Sequence, residues 1–371
     1  MSPSTVSSSE AEKEAVCSCL LTFQSRAALT LSSLLIPLLA QELNLSYFQL
    51  GLVVMSYGLA MAASNFLFGR LSDLRGKRLP FIKLGFALAF PAFLLQLLMK
   101  GFGSMLLVRT AAGFCAGVAA SPLIAHLSEL PHYREKVWLF SGFTSLGWTV
   151  GYIGAGLVPE YWMAFLFSSV LFLLAFLLAF RLSETEVKRT APSPRNLLKQ
   201  NYPLYTCYLL RHVGAQAVWT IFPVYLLQLG ASRGWIGGLH ALNCGMQFVF
   251  MSLLSTRGET LNDKKLVRIG LLLSAFVFLF YSLATSYLHI LPCQFVLAMA
   301  WSTLYVGSLL YLLRKNVEKA TSAGLLESTI NVAGVVGPFL GGVIAELWGM
   351  RASMLIACGL SLAATALSSK L

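Results

Sequence analysis

Charge is what this sequence has least of. Lys, Arg, Asp and Glu together make up 11% of its 371 residues, against about 25% in a soluble domain. So few polar side chains cannot clothe a water-exposed surface at this length, which excludes a soluble globular protein and makes lipid the solvent. Acids are scarcer than bases, 15 against 27, leaving a net charge of +12. Nucleic acid is excluded as the partner, because the bases sit in short clusters between apolar runs. The seven cysteines form no CxxC pair and no His/Cys set of metal-ligand spacing. They read as small apolar residues, and neither a metal, a cofactor nor a catalytic group is expected. The first sixteen residues, "MSPSTVSSSEAEKEAV", lack the basic start of a signal peptide and read as a cytoplasmic tail.

What is abundant is apolar side chain, 57% of residues, with a mean hydropathy of +0.73. A helix crosses the hydrocarbon in about 20 residues. Apolar runs between charge and turn breaks give twelve such segments: 17–40, 46–68, 80–99, 103–127, 137–158, 161–181, 203–228, 233–254, 266–286, 289–312, 322–346 and 349–368. With the N-terminus placed in the cytoplasm, 21 of the 27 Lys and Arg fall in cytoplasmic segments and three, Lys100, Arg233 and Arg351, in external loops. This asymmetry puts both termini inside. The expectation is an all-α, multi-pass protein of the cell (plasma) membrane.

A shift of 186 residues brings the two halves into register. Pro37 meets Pro223, Leu43 meets Leu229, Ser46 meets Ser232, Gly51 meets Gly237, Asp73 meets Glu259 and Gly151 meets Gly337. The chain therefore reads as six-helix units over 17–181 and 203–371, joined by a basic cytoplasmic linker over 182–202. Parallel six-span repeats place a solute site at their interface near mid-membrane.

The densest charge is "GRLSDLRGKR", residues 69–78, between the second and third segments. Walker-type phosphate binding is excluded by the spacing of Gly69 and Gly76 and by Arg78 where Ser or Thr is required. A gradient rather than a nucleotide is the expected driving force. Gly69, Leu71, Ser72, Asp73, Gly76, Lys77 and Arg78 resemble the loop signature of the major facilitator superfamily, G-x-L-[AS]-D-[RK]-x-G-[RK]-[RK]. The resemblance extends to the span count, the duplication and the linker. It implies two pseudo-symmetric six-helix bundles, alternating access and a monomer. It also implies that Asp73 faces the start of the eleventh span near Ser322, where a helix N-terminus favours a carboxylate. That contact would latch the cytoplasmic ends together, with Glu129 as a partner for the basic residues. Gly69 suits a close helix crossing and Gly76 a tight turn. In the second half Glu259 keeps the acid without the glycine frame, a degenerate latch.

Charges inside spans are costly and mark functional positions by default. Arg109 opens "RTAAGFCAG" and resembles the superfamily's R-x-x-x-G pattern, linked there to substrate binding or proton coupling. Arg26 and Arg211 lie in the first and seventh segments at equivalent places, with His212 in strict register with Arg26. The superfamily's organophosphate exchangers grip phosphate with such a pair, so an anion site is one reading; arginines tied to carbonyls or an acid are the other. Glu327, His126 and His240 are the candidate proton sites. Amides and aromatics well inside spans, Trp219, Asn243, Gln247, Trp301, Tyr305, Asn331 and Tyr57, are expected to turn inward. "GVVGPFLGG" around Gly337 and Pro338 resembles the superfamily's antiporter signature, whose proper place in the fifth span holds Gly151 and Tyr152 but no proline. The expectation is a secondary transporter of a small anionic organic solute, coupled to an ion such as the proton or to exchange. A proton-driven exporter of amphipathic compounds and a non-transporting receptor or scaffold are the alternatives.

Overall fold

The computed structural model describes residues 8–45, 47–184, 194–256 and 260–371. Ser46, Glu259, the tail residues 1–7 and the linker residues 185–193 lie outside these. The first half holds α1 (Ser8–Ser33), α2 (Ile36–Glu42), α3 (Tyr47–Arg75), α4 (Leu79–Leu94), α5 (Phe102–Gly117), α6 (Ala120–Ser128), α7 (Tyr133–Leu157) and α8 (Tyr161–Leu178). The second holds α9 (Pro194–Gln228), α10 (Arg233–Ser255), α11 (Asp263–Leu283), α12 (Ile290–Lys315), α13 (Lys319–Trp348) and α14 (Met350–Leu367). Among the described residues there is no strand.

Two long apolar runs are each split by a proline. Pro37 sits in the first turn of α2 and Pro122 in that of α6. Each lacks the N–H that would continue the preceding helix, so the chain breaks at 34–35 and at 118–119. Two other boundaries differ from expectation. Residues 8–16, expected as a tail, form the first turns of α1, with Ala11 and Ala15 buried. The linker's last residues, 194–202, are the start of α9, with Pro194 at its first position.

The two halves repeat one packing pattern. α1 packs on α7 and α8 as α9 packs on α13 and α14; α3 packs on α5 as α10 on α12; α4 packs on α8 as α11 on α14. Between halves, α3 lies on α13 and α7 on α10. Glycines permit two of these crossings. A Cβ on Gly151 would stand 2.7 Å from the Thr30 Cβ and 2.8 Å from the Ala27 carbonyl oxygen on α1. Its repeat mate Gly337 would place one 2.5 Å from the Gln216 Cβ and 2.7 Å from the Val213 oxygen on α9. α13 runs unbroken through Pro338.

Among the described residues, eight helices are long and apolar enough to cross a membrane: Leu52–Arg75, Leu79–Leu98, Phe102–Ser128, Tyr161–Arg181, Asp263–Leu283, Tyr287–Lys315, Lys319–Ala345 and Met350–Lys370. Twelve were expected from the sequence. Among the described residues, α1, α7, α9 and α10 add no further span to the eight, and each of the four contributes polar or aromatic side chains to one internal cavity. On the outside the chain shows lipid-compatible residues; Leu107 and Leu157 are about three-quarters exposed, at 73% and 76%.

Candidate functional site

The cavity lies between the halves and has a volume of about 420 Å³. Arg26 and Thr30 reach it from α1, Trp148 and Tyr152 from α7, and Leu297, Trp301 and Tyr305 from α12. Arg211, His212, Gln216 and Trp219 come from α9, and His240, Asn243, Cys244 and Gln247 from α10. Glu327, Ile330 and Asn331 come from α13.

Its two arginines are in different electrostatic states. Arg26 Nη2 is 3.5 Å from Glu327 Oε2, an ion pair between halves, and Tyr305 donates to Glu327 Oε1 at 2.9 Å. Arg211 has no such partner among the described residues. Its Nε donates to Ser274 Oγ at 2.9 Å and an Nη stands 3.4 Å from His212 Nδ1. Its guanidinium carbon lies 5.6 Å from the Trp301 ring centroid and 5.9 Å from that of Phe278. Arg211 is 2% exposed, so a cation is held at a low-dielectric site with only neutral neighbours. Neutral donors line the same cavity. The Trp301 indole N–H and the Asn331 amide nitrogen are buried without a hydrogen-bond partner among the described residues.

Aromatic rings connect the two cations. Trp301 stacks on Tyr305 at 5.3 Å and lies 6.3 Å from Trp148, over which Arg26 sits at 5.9 Å. Trp219 and His240 pack at 5.6 Å, and His212 lies 5.4 Å from Trp301. The amides build a second bridge between halves. Ser145 donates to Gln247 Oε1 at 3.0 Å, Gln247 to Asn243 Oδ1 at 2.8 Å, and Asn243 to the Gln294 carbonyl at 3.1 Å.

The end bearing the 69–78 stretch is closed. Asp73 Oδ2 accepts from the Thr321 backbone N–H at 2.7 Å and from its hydroxyl at 2.5 Å, at the third residue of α13. Asp73 Oδ1 accepts from Arg78 at 2.7 Å, and both side chains are 1% exposed. Arg78 also lies 3.7 Å from Glu129, which binds Lys319 of the other half at 3.1 Å. Gly76, at φ +62°, makes the left-handed turn that carries Arg78 back onto Asp73, while the Lys77 carbonyl accepts from Ser72 Oγ at 2.8 Å. Gly69 lies so close to α13 that a Cβ would stand 2.6 Å from the Ala320 carbonyl oxygen. Gly69→Val should therefore force α3 and α13 apart and lower stability by about 1–3 kcal/mol, the usual cost of overpacking. A thermal midpoint equal to wild type would contradict that contact.

A second closure stands where sequence reasoning saw a degenerate one. Glu259 lies outside the described residues, but Asp263, 0% exposed, binds Arg134 of α7 at 2.5 Å and Arg314 at 3.3 Å. Arg134 also donates to the Leu261 carbonyl at 2.7 Å. Each half thus ties its loop to the first turn of a helix in the other. Asp263 went unnoticed because it sits four positions beyond the repeat mate of Asp73, and only the helix-cap residue Asn262 before it signalled a buried turn. Among the described residues, the hydrogen bonds and ion pairs joining the halves run from this basic end to mid-depth, where Ser328 donates to the Ala62 carbonyl.

Two expected residues lie elsewhere. Arg109 does not line the cavity; it is buried inside the first half, 3.9 Å from the Tyr57 ring centroid and bonded to Gln96 and Ser33 at 3.3 Å each. His126, fully buried, binds Glu14 at 3.1 Å near the basic end. Glu14 also accepts from the Ser183 backbone N–H at 2.8 Å. Burial pushes the Glu14 carboxyl up, but its bonds to His126 and Ser183 bring it below its ordinary value. This pair pins the start of α1 and does not reach the cavity. Trp148, Tyr152, Gln216 and Cys244 were missed, the first two because they sit within the glycine pattern of α7.

The sequence matches the profile of the Major Facilitator Superfamily over residues 18–323 and 204–370. A comparison with curated proteins returns no match. The fold resembles the crystal structure of the human organic anion transporter MFSD10 (TETRAN), with a TM-score of 0.80, 19% identity and coverage of 96% of this chain and 99% of that one. It also resembles the proton:xylose symporter XylE bound to 6-bromo-6-deoxy-D-glucose, at 0.77 and 15% over 98% and 96% of the two chains. FucP in the outward conformation follows at 0.72 and 16% over 96% and 98%. The chain is a multi-pass membrane protein with a transporter fold, and it belongs to the Major Facilitator Superfamily.

Proposed function

We propose that this chain is a secondary transporter, not an enzyme, moving a small anionic organic solute by alternating access. Arg211 carries the reading: a buried guanidinium lining a solute-sized cavity, with no carboxylate beside it among the described residues, is an anion site awaiting its counter-charge. Arg26, Asn243, Gln247, Trp219, Trp301, Tyr305, His212 and Asn331 complete the binding surface. Glu327, in the same cavity, is the acid placed to couple a proton, and His240 lines that cavity too; Arg109 and His126 serve structure within the first half. The likeness to an organic anion transporter is consistent with this, at the level of fold.

The eight apolar helices and the four cavity-lining ones, α1, α7, α9 and α10, make twelve spans in two six-helix halves, over 17–181 and 203–371. The Lys and Arg bias sets both termini in the cytoplasm of the plasma membrane. The two closures then hold the cytoplasmic end shut, and the cavity faces outward. Gly69, Gly76, Lys77, Arg78, Asp73 and Glu129 form the latch, while Gly151, Gly337 and Pro338 belong to the helices that rock.

Cys244 offers a direct test, being the one cysteine of the seven that lines the cavity. A membrane-impermeant thiosulfonate should label it in right-side-out vesicles, more slowly in inside-out ones, and a transported acid should protect it. Proteoliposomes should show saturable uptake of organic acids. Labelling from the cytoplasmic face alone, or uptake restricted to cations, would overturn the reading.

A further inference from the structure

Among the described residues, the charged side chains that line the cavity are Arg26, Arg211 and Glu327. One arginine is already matched, because Arg26 and Glu327 form an ion pair that Tyr305 reinforces. The cavity therefore offers a single uncompensated positive charge. A dianion would need Arg26 as its second counter-charge. Recruiting it would strand Glu327, which is 4% exposed, as a buried unpaired carboxylate.

The uncharged lining is equally selective. Trp148 comes from one half, and Trp219, Trp301 and Tyr305 from the other. Trp301 and Tyr305 are nearly parallel, with an interplanar angle of 9°. Such rings favour a flat π-surface that packs face or edge against them over a saturated ring of equal size. The cavity of about 420 Å³ is of the size that holds a small organic molecule. In the same cavity as Arg211, the Trp301 N–H and the Asn331 amide nitrogen are neutral donors without a partner among the described residues.

We propose that the solute is a monovalent organic acid with a flat aromatic body, its carboxylate on Arg211 and its rings packed against the tryptophans that line the cavity. This rests on the anion-transporter reading above and narrows it. Because the body touches both halves, binding reports on their approach.

The test is a binding series on the full chain in nanodiscs at neutral pH, read by tryptophan quenching and by thermal midpoint. The probes are naphthoate, naphthalene dicarboxylate, decahydronaphthalene carboxylate, naphthylmethylamine and naphthylmethanol. Naphthoate should bind about tenfold more tightly than the dicarboxylate or the saturated acid, a step of one decade in Kd. Glu327→Gln frees Arg26 and should reverse the order of mono- and dicarboxylate. A wild-type preference for the dicarboxylate, equal binding of the saturated acid, or no binding by any of the three acids overturns the proposal while leaving the anion reading to the uptake assay. An unchanged order in a folded Glu327→Gln protein overturns the charge count. Tightest binding by the amine or the alcohol overturns the anion reading itself. If the variant does not fold, the wild-type order alone decides.

Discussion

Asp73→Asn should open the basic end. Asp73 is 1% exposed and serves three donors: the Thr321 N–H, the Thr321 hydroxyl and Arg78. An amide of the same shape keeps an acceptor for Thr321 but removes the charge that balances Arg78. That guanidinium, also 1% exposed, would be left with Glu129 at 3.7 Å, and Glu129 is already shared with Lys319. Removing one partner of a buried ion pair costs about 3–5 kcal/mol. The cost falls only on the state in which the two halves meet at this end, so a population shift of about two to four orders of magnitude is expected. Ser322→Cys, 0% exposed in this state, supplies the reporter. Its alkylation from the cytoplasmic side should be slow alone and rise about a hundredfold or more with Asp73→Asn. Asp263→Asn should act in the same direction through Arg134 and Arg314, and the double variant should exceed either single one. Unchanged alkylation in the double variant would mean that the two closures do not hold the end shut.

The fold was legible in the sequence wherever the signal was linear. The repeat at an offset of 186 matches residues that occupy equivalent crossings, Gly151 of α7 against α1 and Gly337 of α13 against α9. The loop signature anticipated a contact with the eleventh segment, and Asp73 meets Thr321, one residue before the expected Ser322. What was not legible was azimuth. A helix that is apolar nearly all round gives depth along its axis but no facing direction, since lipid and protein interior favour the same side chains. Arg109 and Arg26 therefore looked alike in sequence, yet one is buried against Tyr57 within its own half and the other faces Glu327 across the interface. Nor does sequence spacing reveal an ion pair between residues on helices of different halves. The helical turns at 8–16 and 194–202 were not legible for a different reason. The composition of 8–16 is polar, but its spaced alanines still give a helix one face to bury.

Arg211→Gln should separate binding from stability with opposite signs. In the free protein, the Arg211 charge is desolvated and faces Ser274, His212 and the rings of Trp301 and Phe278, none of which is anionic. Replacing an uncompensated buried cation by a neutral amide removes that desolvation cost and retains a donor for Ser274, so the free protein should gain about 1–3 kcal/mol. The solute would lose its counter-charge. Hydrogen bonds to charged groups contribute about 1.5–3 kcal/mol each, and a carboxylate faces a fork that offers two, so affinity should fall by two orders of magnitude or more. Lysine at this position restores charge but not the fork, so Arg211→Lys should recover only part of the affinity. Arg26→Gln makes the informative contrast. It strands Glu327 instead of relieving a charge, so it should destabilise the free protein, and the stranded carboxylate should repel the anion. Thermal midpoints without solute, together with uptake and binding of naphthoate, measure both effects. A destabilised Arg211→Gln protein that still binds would show that the guanidinium holds the bundle together, and that the solute's charge is met elsewhere in the cavity.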